Sequence, residues 1–220
     1  MTLNEKFVIT INREMGSGGR TTGRLLAEKL GITFYDDVVI KAFKERHGLT
    51  IEEIEAMKGK KKNWWSDFKR IIGIGPGMTN STYLEVRPGH EPELLTGENV
   101  FREEMGILEG ITYDQSCVLA GRTAFFAMRH HPNHLSILIK APMQQRVARV
   151  ARKQNISEDE ARKKIDEVDQ MRENYVRKFC NSDRYDTRNY DLVLSSEGKT
   201  EQELVQSILQ FLGNYYPPVM

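Results

Sequence analysis

The chain has 220 residues, 39% hydrophobic and 29% charged, the composition of an ordinary soluble globular protein. Its 32 basic and 31 acidic residues leave a net charge of +1, so bulk charge draws it to neither nucleic acid nor an anionic membrane surface. No apolar run approaches the ~20 residues of a membrane span, the opening MTLNEK lacks the apolar stretch of a signal peptide, and Cys117 and Cys180 show no CxxC or Cys/His metal spacing, which together predict a cytosolic protein with reduced thiols.

Phe7–Ile11 is rich in β-branched residues and predicts a first strand that stops at Asn12-Arg13. A loop with Gly16, Gly18 and Gly19 follows, then a helix with Leu25, Leu26 and Leu30 on one face and Gly31 at its end. Strand, glycine loop and helix together present backbone N–H groups at a helix N-terminus, an anion site whose usual occupant is phosphate. Ile32–Tyr35 reads as a short second strand ending at Asp36-Asp37. A helix is expected over 38–46, and Thr50 with Glu53 forms a capping box for a short helix to about Met57. Segment 58–97 carries the lysines 58 and 60–62, Trp64-Trp65 and scattered Gly and Pro, and predicts an irregular insert in which the tryptophans anchor a small satellite core. A helix from about Glu98 to Leu108 then leads to a turn at Gly110.

Ser116–Ala120 reads as the third strand, ending at Gly121-Arg122, with a helix over 122–130 and a turn at His130-His131-Pro132-Asn133. His130, His131 and His134 resemble a metal cluster only in number and read as turn residues. Leu135–Lys140 is the fourth strand, and Pro142 is expected at the first position of a helix to about Lys153. Ser157 with Glu160 is a second capping box and opens a long helix to about Phe179. Asp191–Leu194 is the last strand, and Thr200 with Glu203 caps a final helix to about Leu212. The tail from Tyr215 to Pro218 reads as packed on the body or on a second subunit, which leaves the oligomeric state open, a homodimer included. Short apolar strands alternating with helices predict an α/β fold whose parallel sheet is covered on both faces, with the ligand beyond the carboxyl ends of the strands.

Against the pattern GxxxxGK[ST], Gly19-Arg20-Thr21 puts Arg in the lysine position and Glu14 in that of the first glycine; alignment on the downstream helix puts Gly19 in the lysine position instead. Either way the lysine is missing, and Arg20 or Arg24 is left to supply its charge. A dinucleotide loop is the rival: Gly16-x-Gly18-x-x-Thr21 lacks the third glycine, although Asp36 lies about the right distance on. A purely structural glycine turn is the remaining reading. Farther on, Arg146, Arg149 and Arg152 recur every three residues beside Val147 and Val150. In the next helix Ala161, Ile165, Val168, Tyr175 and Phe179 form a heptad-like stripe, with Arg172 on it. A guanidinium on an apolar seam needs a partner, and polyphosphate suits its planar donors. The bland alternative pairs these arginines with Glu158, Asp159, Asp166, Glu167 and Asp169. Asp183, Arg184, Asp186 and Arg188 either pair with each other or lend Arg184 to phosphate. Two arginine-bearing helices suit phosphoryl transfer, where catalysis is mostly positioning and cations, better than hydride transfer.

INREMGSGGRTTGRLLAEKLGITFYDD, CVLAGR, LIKAPMQQRVARV, DQMRENYVRKF and YDLVLSS together resemble the cytidylate kinase-like family of P-loop proteins, over about 7–56 and 98–212. The resemblance implies a nucleoside-monophosphate-kinase-like fold in a single domain, 1–220. That fold has a five-stranded parallel sheet with helices on both faces, an insert at about 38–110 with an irregular core at 58–97, and an arginine-bearing lid at about 142–179. It implies transfer of the ATP γ-phosphoryl group, with Mg²⁺, to a nucleoside monophosphate such as CMP or dCMP. Residue by residue it implies Gly16, Ser17, Gly18, Gly19, Arg20 and Thr21 as the phosphate loop, and Asp36, Arg122 and Thr123 at the acceptor. Arg20, Arg122, Arg149, Arg152 and Arg172 are the implied cations of the transfer, and no protein metal ligand is expected. Thr123 stands where these kinases carry Asp, and the insert is not recognisably theirs. Two further readings stay open: a nucleotide-binding regulatory protein without catalysis, and a kinase of another small phosphorylated acceptor.

Overall fold

In the computed structural model, which describes residues 1, 3–36, 97–121 and 123–215, β1 (Val8–Arg13) is the middle strand of a five-stranded parallel sheet. The order is β2-β3-β1-β4-β5, with β2 (Thr33–Asp36), β3 (Cys117–Ala120), β4 (His134–Lys140) and β5 (Leu192–Ser195). A central strand has neighbours on both sides and cover on both faces, so Val8 to Asn12 are all buried. The helices are α1 (Gly19–Leu30), α2 (Gly97–Asp114), α3 (Ala124–Ala127), α4 (Met143–Gln154), α5 (Glu158–Cys180) and α6 (Glu201–Tyr215). Leu26 of α1 and Leu204, Ile208 and Leu212 of α6 join Ile9, Ile11 and Ile137 of the sheet in one core. Among the described residues no helix is long and apolar enough to cross a membrane.

The chain divides into two units, Met1–Asp37 with Leu108–Met220, and Val38–Ile107. The first contains all five strands of the sheet; of the second, the described residues are 97–107, the opening turns of α2. The helix and capping box expected over 38–57, the lysine run, Trp64-Trp65, Arg122 and the tail beyond Tyr215 lie outside the described residues.

Several boundaries differ from the sequence reading. β1 continues through Asn12 and Arg13, because β4 supplies Leu138 and Ile139 as partners. α2 runs past the expected turn at Gly110 to Asp114. Leu108 and Thr112 stay buried four residues apart, and Thr112 Oγ1 donates back to the Leu108 carbonyl at 3.1 Å. A helix tolerates a glycine at a cost of about 1 kcal/mol when such packing continues across it. α3 has only four residues; the turn that follows, where His131 N–H donates to Met128 O at 2.9 Å, leads into Pro132, before which helical backbone is disfavoured. Pro142 is the N-cap of α4 rather than its first residue. Both capping boxes in the described part form: Ser157 and Glu160 bond reciprocally, as do Thr200 and Glu203.

His134 opens β4 with Nε2 2.7 Å from Thr10 Oγ1. Burial, opposed by the Asp191 carboxylate, pushes its imidazole pKa from 6.5 down to about 4. The unfolded chain therefore takes up this proton first. The stability that the neutral ring contributes is complete above about pH 6.5 and is lost as pH falls toward 4. Urea unfolding at pH 7 and pH 5 should show wild type losing more stability than His134→Gln, by up to ~1.4 kcal/mol per pH unit. Equal losses would contradict a neutral buried His134.

Candidate active site

Between β1 and α1 the chain turns through two left-handed glycines, Gly16 at φ 83° and Gly18 at φ 84°. α1 begins at Gly19 with Gly18 as its N-cap, so the first N–H groups of the helix head the loop. The loop is braced from below. Ser17 is buried and its Oγ donates to Glu14 O at 2.9 Å. Glu14 N donates to Ile139 O at 3.1 Å, and Glu14 Oε2 accepts from Ala141 N–H at 2.8 Å. Glu14 is thus a strut between the loop and the end of β4. Met15 packs on the apolar cluster that Val147 and Val150 of α4 form with Ala161 and Ile165 of α5.

A helix starting at Gly19 corresponds to the alignment that puts Gly19 in the lysine position. The space there is taken: a Cβ on Gly19 would lie 2.7 Å from Arg13 Cβ. Arg13 in turn reaches Asp36 Oδ1 at 2.8 Å, and Arg20 Nε pairs with Asp36 Oδ2. Asp36, last residue of β2, is therefore gripped by two guanidiniums, with Arg20 itself largely exposed. Arg24 pairs with Glu28 one turn along α1, at 2.5 Å.

Beside the loop lies a buried ion cluster; of the carboxylates that the sequence offers as partners for the arginines, Asp169 is the one at its centre. Asp169 of α5, 6% exposed, gathers Arg146 of α4, Arg172 of α5 and Arg184, and its Oδ1 accepts from Met15 N–H at 3.1 Å. Arg184 is 1% exposed and donates to Arg13 O at 2.6 Å and Asn12 Oδ1 at 3.2 Å. Asn12 Nδ2 donates to Tyr190 Oη at 2.5 Å, and that hydroxyl donates to Arg184 O at 2.6 Å, closing a ring. Burial pushes the Tyr190 phenol above its ordinary range, so it stays a donor. Arg172 Nη1 donates to Arg13 O at 3.1 Å. The buried seam of α5 thus runs through Asp169, while Val168 and Phe179 of the expected stripe are only half-buried. The available signal was spacing: Asp169 lies four residues after Ile165 and three before Arg172.

Of the other expected site residues, Arg149 lies over Gly18 and 3.1 Å from Glu201, while Arg152 is exposed. Thr21 is half-buried in the first turn of α1. Thr123 is buried and its carbonyl accepts from Phe126 and Ala127 N–H at the start of α3. Arg122, outside the described residues, gets no geometry. Asp186 and Arg188 pair with each other, whereas Arg184 belongs to the buried cluster. Among the described residues no group of three His, Cys, Asp or Glu could hold a metal.

Gly19→Ala should destabilise the fold by about 1–3 kcal/mol, since the methyl group must displace Arg13. Urea unfolding at neutral pH checks this, and no loss would mean that Arg13 yields its place freely.

The profile of the cytidylate kinase-like family matches residues 8–198. The cytidylate kinase of Methanopyrus kandleri is 26% identical over 205 residues, covering 89% of this chain and 88% of its own. In fold, the chain is similar to a solved uncharacterized protein from Eubacterium ventriosum, with a TM-score of 0.66 at 19% identity, covering 94% of this chain and 98% of that one. A shikimate kinase from Acinetobacter baumannii, solved in complex with shikimate, has a TM-score of 0.52 at 18% identity, covering 96% and 94%. The match spans the five-stranded parallel sheet and the glycine loop of this chain, and the chain belongs to the cytidylate kinase-like family.

Proposed function

We propose that the protein is an ATP-dependent kinase whose acceptor is a nucleoside monophosphate, CMP or dCMP first among them. The observation that carries this reading is the left-handed glycine loop at the head of α1. Neither position has room for a side chain: a Cβ on Gly16 would lie 2.8 Å from Arg146 O, and one on Gly18 would meet Arg149 and lie 3.1 Å from Glu201 Oε1. Backbone N–H groups at a helix N-terminus suit polyphosphate oxygens. Gly16, Ser17, Gly18, Gly19, Arg20 and Thr21 would hold them. Mg²⁺ is a hard ion that keeps waters and binds through substrate phosphates, so it needs no protein cage. Bound there, the ion would offset charge on the phosphates.

In this reading an acceptor phosphate oxygen attacks the γ-phosphorus in line, the bond to the β–γ bridging oxygen breaks, and ADP leaves with that electron pair. No protein nucleophile is required. The family resemblance assigns Asp36, Arg122 and Thr123 to the acceptor, and Arg149, Arg152 and Arg172 to the cations of the transfer. A second reading, a nucleotide-binding regulatory protein, is favoured by one observation: the lysine position is a glycine whose side-chain space Arg13 fills.

ADP formation from Mg-ATP is to be assayed against all ribo- and deoxyribonucleoside monophosphates, with an acceptor-free control. Turnover with CMP or dCMP is expected. ATP binding without turnover on any acceptor would favour the regulatory reading. Arg122→Ala should lower turnover at least ~10-fold with ATP affinity unchanged; a collapse of ATP binding would contradict its place at the acceptor.

A further inference from the structure

The glycine loop lacks the lysine that reaches the β- and γ-phosphates in a P-loop, and one residue of α4 lies where it can supply that charge. The two candidates on α1 are drawn elsewhere. Arg24 pairs with Glu28 along the helix surface, and Arg20 pairs with Asp36 at the end of β2. Arg146, Arg172 and Arg184 are all engaged on Asp169. Arg149 differs. A Cβ built on Gly18 would fall on its Nη1 and 3.2 Å from its Cζ, so the guanidinium rests directly on the bend of the loop. The same Cβ would lie 3.1 Å from Glu201 Oε1, so a carboxylate rests on that bend too.

The two groups form an ion pair, Nη1 to Oε1, at 3.1 Å. Nη1 is nevertheless buried without a hydrogen bond, close to the carboxylate but angled away from it. A buried donor without a directed acceptor is costly, and a phosphate oxygen on the loop would give it one. Glu201 is the first residue of α6, and its carboxylate is the anion that lies at the Gly18 bend.

We infer that Arg149 is the cation that takes the place of the missing lysine, and that Glu201 is a resident anion which nucleotide phosphate displaces from it. This rests on the nucleotide-binding reading above. On binding, Arg149 exchanges a poorly directed carboxylate for phosphate oxygens, which it can meet with two parallel donors. Glu201, displaced, is left at the exposed start of its helix, where an acidic side chain is favourable to the helix dipole.

Isothermal titration of the full chain with Mg-ATP, Mg-tripolyphosphate and adenosine tests this, on wild type and on Arg149→Ala, Arg149→Lys and Glu201→Gln. Arg149→Ala should weaken both phosphate ligands about tenfold or more and leave adenosine unchanged. Arg149→Lys should retain more affinity than Arg149→Ala, since it keeps the charge. Glu201→Gln, nearly isosteric, should tighten both phosphate ligands several-fold, and it tests the proposal even where Arg149→Ala fails to fold. Three results overturn the inference: unchanged Mg-ATP binding in Arg149→Ala, an equal loss for adenosine, or weaker phosphate binding in Glu201→Gln. Wild-type protein that takes neither Mg-ATP nor tripolyphosphate overturns the nucleotide-binding reading itself.

Discussion

The buried carboxylate of Asp169 ties together the parts on which the candidate site depends. Through Arg184 and Arg172 it reaches the last carbonyl of β1, through Met15 N–H it holds the start of the glycine loop, and through Arg146 it fixes α4. Three guanidiniums face it, and Glu14 adds a second carboxylate 3.6 Å from Arg146, so the cluster carries a net charge of +1. Removing one member of a buried ion cluster typically costs about 3–5 kcal/mol, because the others are left uncompensated. The cluster lies beside a loop read as binding anions, and its surplus positive charge has the right sign for that role.

The loop itself is shaped by its local contacts. Glu14, at the start of the loop, accepts from the Ala141 N–H just past the end of β4. Arg13 fills the side-chain space at Gly19 and grips Asp36, so a lysine at Gly19 and an arginine at 13 exclude each other. Gly16 and Gly18 are left-handed, and Arg146 and Arg149 of α4 lie against them. Phosphate recognition that rests on N–H groups does not require the lysine, since those groups belong to the backbone.

The sheet was legible because β-branched runs bounded by Gly, Asn and Asp are what buried parallel strands require, and the capping boxes at Ser157 and Thr200 marked helix starts correctly. Helix ends were less legible. Gly110 punctuates the sequence, yet Leu108 and Thr112 pack across it. In the site, the glycine loop was visible as composition, and Asp169 only as one of five carboxylates that could meet the arginines on a solvated face. A helix seam shows in sequence as apolar periodicity, and an acidic residue joins a seam only through its partners. Those partners, Arg146 and Arg184, lie 23 and 15 residues away, a pairing that only the tertiary fold creates. Arg149 was visible as one of three evenly spaced arginines; its partner Glu201 sits in a different helix.

The central claim is that residues 14–21 form the seat of a nucleotide polyphosphate. Amide hydrogen–deuterium exchange with and without saturating Mg-ATP tests it most directly, because the claim concerns backbone N–H groups. Slower exchange at Gly16 to Thr21 on addition of Mg-ATP is predicted, and inorganic tripolyphosphate should reproduce it where adenosine does not. Exchange at these amides that Mg-ATP leaves unchanged, while protection appears elsewhere in the chain, would contradict the account.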